Sequence, residues 1–283
     1  MQAKKTAIIT GGNAGIGYET SLALAKQGFR VIIIGRTKQK CKQAVYDINQ
    51  STQNDNCSYY LCDLSSQDEI KKTAALIRND IEVVDILINN AGQVYTHYQE
   101  SQDGIEMQFA TNHLAYFLFT YEMLPLLKKS TEARIICVSS NSHYRGQIDF
   151  NNLYFKNSYN FFKVYAQSKL CNVLFTYKLA ELLKPLSITV NVLHPGLVKT
   201  LIGTKQVKWW EALAWKIWSI RGISIAEGAK TSIYLATSNE VKNTSGLYWN
   251  KCASQKSVDI SYDKQLQNQL WELSEKLCNI HYE

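Results

Sequence analysis

The sequence predicts a single doubly wound α/β domain over residues 1–283, a parallel β-sheet with helices on both faces. Three observations predict it. Short apolar runs alternate with longer amphipathic segments, as strands buried on both faces and their covering helices require. A glycine-rich turn joins the first such run to the first helical segment. The composition allows a large core, with 46% hydrophobic and 19% charged residues, and three prolines mark no linker.

Residues 6–10 read as the first strand, followed by helical periodicity over 16–27. A β-branched run at 30–34 precedes a helix at 38–49, and a weaker strand at 58–61 precedes a helix at 66–78. Residues 83–88 form a strong strand, and the spacing predicts one long helix over 105–128. Strands at 134–138 and 188–193 flank a helix at 161–183. The chain ends with a helix at 226–236, a short strand at 247–249 and a helix at 263–278.

The formal charge of +7 comes from scattered Lys and Arg, with pairs such as Lys4-Lys5 and Lys128-Lys129 as the longest runs. Without a concentrated patch, nucleic acid is not an expected partner. The seven cysteines form no C-x-x-C pair, and the five histidines are dispersed, so no metal site is expected. Cys137 and Cys171 sit in apolar runs and read as small core residues of a reducing compartment. The first strand begins at once, leaving no room for a signal peptide, and no apolar stretch is long enough to span a bilayer. The expectation is a cytoplasmic protein, with peripheral contact to an intracellular membrane left open.

The first strand runs into Thr10-Gly11-Gly12-Asn13-Ala14-Gly15-Ile16-Gly17. Glycines there permit a tight turn and close approach of a phosphate, and the helix N-terminus behind them offers free N–H groups. Dinucleotide folds often place a carboxylate at the end of the second strand to hold the adenosine ribose. This chain has Gly35-Arg36 there, and a guanidinium pairs with a 2′-phosphate, so NADP(H) is the expected cofactor. Lys38 and Lys40 read as a solvated helix start.

Taken together, the motifs resemble the short-chain dehydrogenase/reductase family. The Thr-Gly-x-x-x-Gly-x-Gly loop, Asn89-Asn90-Ala91-Gly92 after the fourth strand, and Asp63-Leu64 after the third carry the resemblance. So do Asn112, Ser140, Tyr165 and Lys169, and the segment His194-Pro195-Gly196 with Val198 and Thr200. The resemblance implies a Rossmann-type fold. It implies cofactor contacts from Gly11, Asn13, Gly15, Ile16, Gly17, Arg36, Asp63, Leu64, Asn90, Ala91, Gly92, Tyr165, Lys169, Pro195, Gly196, Val198 and Thr200. It also implies a catalytic tetrad of Asn112, Ser140, Tyr165 and Lys169, with Asn112 as proton relay, and oligomers built through the long helices.

Tyr165 and Lys169 stand i, i+4 and share a helix face, from which the ammonium lowers the phenol pKa. Asn112-His113-Leu114-Ala115-Tyr116-Phe117, Ser168-Lys169-Leu170-Cys171-Asn172 and Leu270-Trp271-Glu272-Leu273-Ser274 are similar to the retinol dehydrogenase-like branch, the enzymes numbered 11 to 14. That branch also shares an insertion, here 24 residues between Ser140 and Tyr165. Two departures stand out: the branch generally begins with a hydrophobic membrane anchor, which this sequence lacks, and Ala14 replaces a polar residue.

Residues 201–222 fall where the family places a substrate lid. Trp209, Trp210, Leu213, Ile217 and Ile220 share one helical face, flanked by Lys208, Lys216 and Arg221. The stripe reads as a lid over a lipophilic substrate, as peripheral membrane contact through 207–221, or as simple core packing. Tyr144, Phe150, Tyr154 and Phe155 of the insertion extend the same apolar wall. The leading expectation is oxidoreduction between an alcohol and a carbonyl of a lipophilic substrate such as a retinoid. A general carbonyl reductase and a non-catalytic cofactor-binding scaffold are the alternatives.

The cofactor assignment has a direct check. Arg36→Asp should move preference from NADPH toward NADH in a binding titration, and an unchanged ratio would refute it.

Overall fold

The computed structural model describes residues 4–198 and 222–282. Strands β1 (Thr6–Thr10), β2 (Arg30–Gly35), β3 (Cys57–Leu61), β4 (Ile86–Asn89), β5 (Ala133–Val138), β6 (Ile188–Leu193), β7 (Tyr248–Asn250) and β8 (Ala253–Gln255) form one sheet in the order β3-β2-β1-β4-β5-β6-β7-β8. All pairings are parallel except β7 with β8. Helices α1 (Gly15–Lys26), α2 (Lys38–Thr52), α3 (Gln67–Asp80), α4 (Met107–Phe109), α5 (Ala115–Leu127), α6 (Phe161–Leu182), α7 (Ile225–Thr237) and α8 (Lys264–Cys278) cover it. The doubly wound reading holds.

Side-chain alternation along each strand splits the interior into two cores. Ile8, Ile32, Leu87 and Ile135 join the larger core with residues of α3, α5, α6 and α8. Their neighbours Ile9, Ile33, Ile88 and Ile136 join the second, with residues of α1, α2 and α7. Strand order reverses between β2-β1 and β4-β5, so the crossovers on the two sides of β1 leave in opposite directions. The crevice at such a reversal, at the carboxyl ends of the strands, is where ligands bind in this architecture.

Three elements differ from the sequence reading. Residues 105–128 do not form one regular helix, because the π-helical turn Ala110–Leu114 separates α4 from α5. Widening of a helix by such a turn often accompanies a functional site, and Asn112 lies within this one. The fourth strand starts at Ile86 rather than at residue 83. The antiparallel β8 has no counterpart in the sequence reading. Its hairpin turns through Lys251 and Cys252, with φ of 49° and 60°. Positive φ at both central residues is the type I′ geometry, usually signalled by Asn-Gly, and this chain spells it with neither residue at those positions.

The long helices are covered from within the chain. Trp271 of α8 packs against Phe117 of α5 (4.9 Å between ring centres), Phe175 of α6 (5.9 Å) and Tyr282 (4.6 Å). The Tyr282 hydroxyl donates to the Phe117 carbonyl at 2.6 Å. Phe150 and Tyr154 of the insertion are partly buried and pack against the larger core. The cysteines are free, and all but Cys252 are buried. Among the described residues, no helix is long and apolar enough to cross a membrane.

Removing the indole would leave the α5–α6–α8 seam without its central filler. Trp271→Ala should cost about 3–5 kcal/mol of unfolding free energy; a change under about 1 kcal/mol in a urea titration, the usual range for surface sites, would show that α8 does not depend on this contact.

Candidate active site

The site begins at the joint between β1 and β4. Thr10, at the end of β1, accepts at its Oγ1 from the backbone N–H groups of Asn90 (2.8 Å) and Ala91 (3.0 Å). Asn90 returns the bond, its Nδ2 donating to the Thr10 carbonyl at 2.8 Å. This clip fixes the glycine loop against the exit of β4. A Cβ on Gly17 would lie 2.3 Å from the Gly11 carbonyl oxygen and 2.6 Å from Asn90 Nδ2. Only glycine lets α1 start so close to the sheet. Gly11 itself takes φ of 66°.

Helix α1 has no side-chain cap, because Ala14 stands at the capping position. Its first N–H groups are therefore left to another acceptor, which suits an anion. Asn13 lies beside the β2 exit, where a Cβ on Gly35 would come 2.9 Å from its Oδ1. Arg36 is exposed there, and its guanidinium partly offsets the burial that raises the Tyr95 phenol pKa. Asp63 accepts at one oxygen from Ser65 N (3.0 Å) and Ser65 Oγ (2.8 Å). Leu64 turns into the larger core.

The four polar residues singled out in the sequence come together on the other side of the crevice. Lys169, 2% exposed, donates from Nζ to the Val138 carbonyl at 3.2 Å. The same ammonium lies 5.7 Å from the centre of the Tyr165 ring and 5.8 Å from that of Tyr116. A Cβ on Gly92 would stand 3.2 Å from Lys169 Nζ and 3.3 Å from Asn112 Oδ1, so the bare glycine makes room for both. Ser140 stands two residues past the end of β5, where its hydroxyl donates to Ser142 Oγ at 3.2 Å and accepts from Ser142 N at 3.1 Å, and it acts against burial to lower the Tyr165 phenol pKa.

Asn112 holds the loop after β4 by both ends of its amide. Its Oδ1 accepts from Gln93 N (2.8 Å), and its Nδ2 donates to the Gln93 carbonyl (2.9 Å) and to Ser168 Oγ (3.1 Å). Ser168 in turn donates to the Tyr165 carbonyl at 2.8 Å. The side chain is thus a clamp joining the β4 exit to α6.

Burial, the largest influence on Tyr165, raises its phenol pKa, and the Ser140 hydroxyl pulls it back down. This corrects the expectation that Lys169 lowers it. Both groups share a site poor in solvent, and burial disfavours the charged form of each. The same cause pushes Lys169 down to about 8.

On the third side, Gly196 has φ of 86° and packs against Ile223, while Val198 bridges to Ile223 beside Gly228 of α7. Pro195 precedes them at the same edge. Thr200 and residues 201–221 of the expected lid lie outside the described residues. Sequence reading missed the roles of Thr10, Gln93, Ser139 (Oγ to the Lys169 carbonyl, 2.7 Å) and His143. A Ser or Thr at a strand end carries no signal of its partner, which is chosen by the fold.

The short chain dehydrogenase family profile matches residues 5–211. The chain belongs to that family. It is an oxidoreductase of the retinol dehydrogenase-like kind, similar to retinol dehydrogenase 13 of Homo sapiens at 37% identity, over 98% of this chain and 85% of that one. The polyprenol dehydrogenase of Homo sapiens is also 37% identical, over 98% and 86%. Among solved structures, a short chain dehydrogenase of Shigella flexneri complexed with NADP superposes with a TM-score of 0.70. It is 20% identical over 88% of this chain and 97% of that one, a likeness that shows the fold.

The buried ammonium makes a kinetic prediction. The kcat/KM for NADPH, which reports ionisations of the free enzyme, should fall as pH rises through about 8, where Lys169 loses its proton. Lys169→Arg should move that fall upward, since the guanidinium stays charged; an inflection unmoved in the variant would assign it to another group.

Proposed function

We propose that this enzyme uses NADP(H) to interconvert a lipophilic alcohol with its aldehyde or ketone, with Tyr165 moving the proton. The observation that carries the proposal is the convergence of Ser140, Tyr165 and the buried ammonium of Lys169 at one edge of the crevice whose other edge is the uncapped α1 N-terminus.

The residues fit a dinucleotide. The α1 N-terminus offers N–H groups to a pyrophosphate, and Gly11 and Gly17 keep the approach bare. Arg36 supplies the charge for a 2′-phosphate, and the solved relative that carries NADP has the same fold. Asp63 lies at the end of β3, where the adenine is expected, and Pro195, Gly196 and Val198 line the side where the nicotinamide is expected. The cofactor supplies or accepts the hydride.

The chain handles the oxygen. Ser140 holds the substrate oxygen by its hydroxyl, and Tyr165 donates its phenolic proton to that oxygen in reduction. Burial keeps the phenol protonated at rest, which suits a donor. The anion left behind faces the Lys169 ammonium, and the Asn112 clamp holds α6 in register with the β4 exit. In the oxidative direction the phenol must first lose its proton, so alkaline pH favours it.

The substrate class rests on the relatives, since retinol and polyprenol are both lipophilic alcohols. Retinoid turnover against turnover of a broad aldehyde panel separates this reading from a general carbonyl reductase. Tyr165→Phe should lower kcat by about 10²–10⁴ while NADPH still binds. Wild-type protein that binds NADPH and turns over no carbonyl would leave only the scaffold reading.

A further inference from the structure

His143 lies three residues beyond Ser140, at the turn that carries the insertion away from β5. Its ring is wholly buried, between Tyr144 (4.1 Å between ring centres) and Tyr248 (4.6 Å). Both ring nitrogens are engaged. Nδ1 is 2.8 Å from the Ser140 carbonyl oxygen, and Nε2 is 3.3 Å from the backbone nitrogen of Val258. A carbonyl can only accept and an N–H can only donate, so the two contacts fix one tautomer, with the proton on Nδ1. Burial pushes the imidazole pKa down to about 4, so this neutral form prevails near neutrality.

Two donors therefore converge on one oxygen, the His143 side chain and its own backbone N–H at 3.1 Å. The other end of the ring is tied to a distant part of the chain. The segment around Val258 is itself anchored. The Tyr144 hydroxyl donates to the Lys256 carbonyl at 2.6 Å, and Ser257 Oγ is 2.6 Å from the Tyr177 hydroxyl of α6. The imidazole is thus a rigid strut between the strand end that presents Ser140 and the chain that follows β8.

We propose that His143 is a positioning residue for the reaction: its Nδ1–H holds the backbone of Ser140 so that the serine hydroxyl stays beside the Tyr165 phenol. The inference rests on the reading of Ser140 as the group that bonds the substrate oxygen. His143 touches no reacting atom and works through Ser140 alone.

Two conservative variants separate the two ends of the ring. In His143→Asn the amide takes the place of Nδ1 and keeps a donor for the Ser140 carbonyl. In His143→Gln the amide reaches the place of Nε2 and keeps an acceptor for Val258. The full chain of each is compared with wild type in aldehyde reduction with NADPH, in NADPH binding by fluorescence and in melting temperature. A long-range ¹H–¹⁵N spectrum of the wild-type histidines reads the tautomer without any turnover. The proposal expects a neutral Nδ1–H ring. It expects kcat within about threefold of wild type for Asn and down about tenfold or more for Gln, with NADPH affinity within about twofold in both, since misplacing a reacting group by an ångström costs rate rather than cofactor binding. An Nε2–H ring overturns it, as does a kcat that falls alike in both variants in step with melting temperature, or that stays at the wild-type level in both. A wild-type protein inactive across the aldehyde panel removes the functional reading instead, and the positioning role with it.

Discussion

The joint between β1 and β4 is the constraint from which the rest of this structure follows. These two strands lie at the point where sheet order reverses, so the helices that follow them leave on opposite sides and a crevice remains above their ends. Thr10 and Asn90 lock the joint with reciprocal hydrogen bonds between side chain and backbone. That lock fixes the distance from the glycine loop to the loop after β4. The glycine loop presents the bare start of α1, and the loop after β4 carries Gly92, against which the ammonium of Lys169 rests. Loosening this joint would separate the glycine loop from the loop that carries Gly92.

A second constraint is electrostatic. Burying an ammonium costs several kcal/mol unless it is bonded, and Lys169 has one carbonyl acceptor and two aromatic faces around it. Burial holds its pKa below the ordinary lysine value. Tyr165, partly buried beside it, is shifted by desolvation in the opposite direction. The pair is thus set as a phenol of raised pKa beside an ammonium of lowered pKa. The clamp of Asn112 on Gln93 and the π-helical turn around it hold this geometry from behind.

Much of this was legible from residues alone. Short continuous apolar runs gave the strands, and glycine spacing gave the loop, because both patterns are local consequences of backbone geometry. The i, i+4 relation of Tyr165 and Lys169 survives folding because a helix preserves it. Other features were not legible. The β7–β8 hairpin turns through Lys251 and Cys252 at positive φ, and neither residue type signals such a turn. The break in the long helix contains Asn112, whose amide is bonded at both ends to the backbone of Gln93, 19 positions away in sequence. The Tyr165 shift was misjudged because spacing reveals the neighbouring charge and conceals the desolvation.

The sequence by itself determined the order of the parallel strands and helices, the family, the sign of the charge at Arg36 and the i, i+4 spacing of Tyr165 and Lys169. Each of these is written in residue type and short-range spacing. The tertiary structure decided the partners: which carbonyl receives the Lys169 ammonium, which backbone Asn112 clamps, which way His143 carries its proton, and that α8 covers the long helices. The physical reason is that a hydrogen bond or a buried charge acquires its strength from groups brought together across the chain, and no local pattern records which groups those will be.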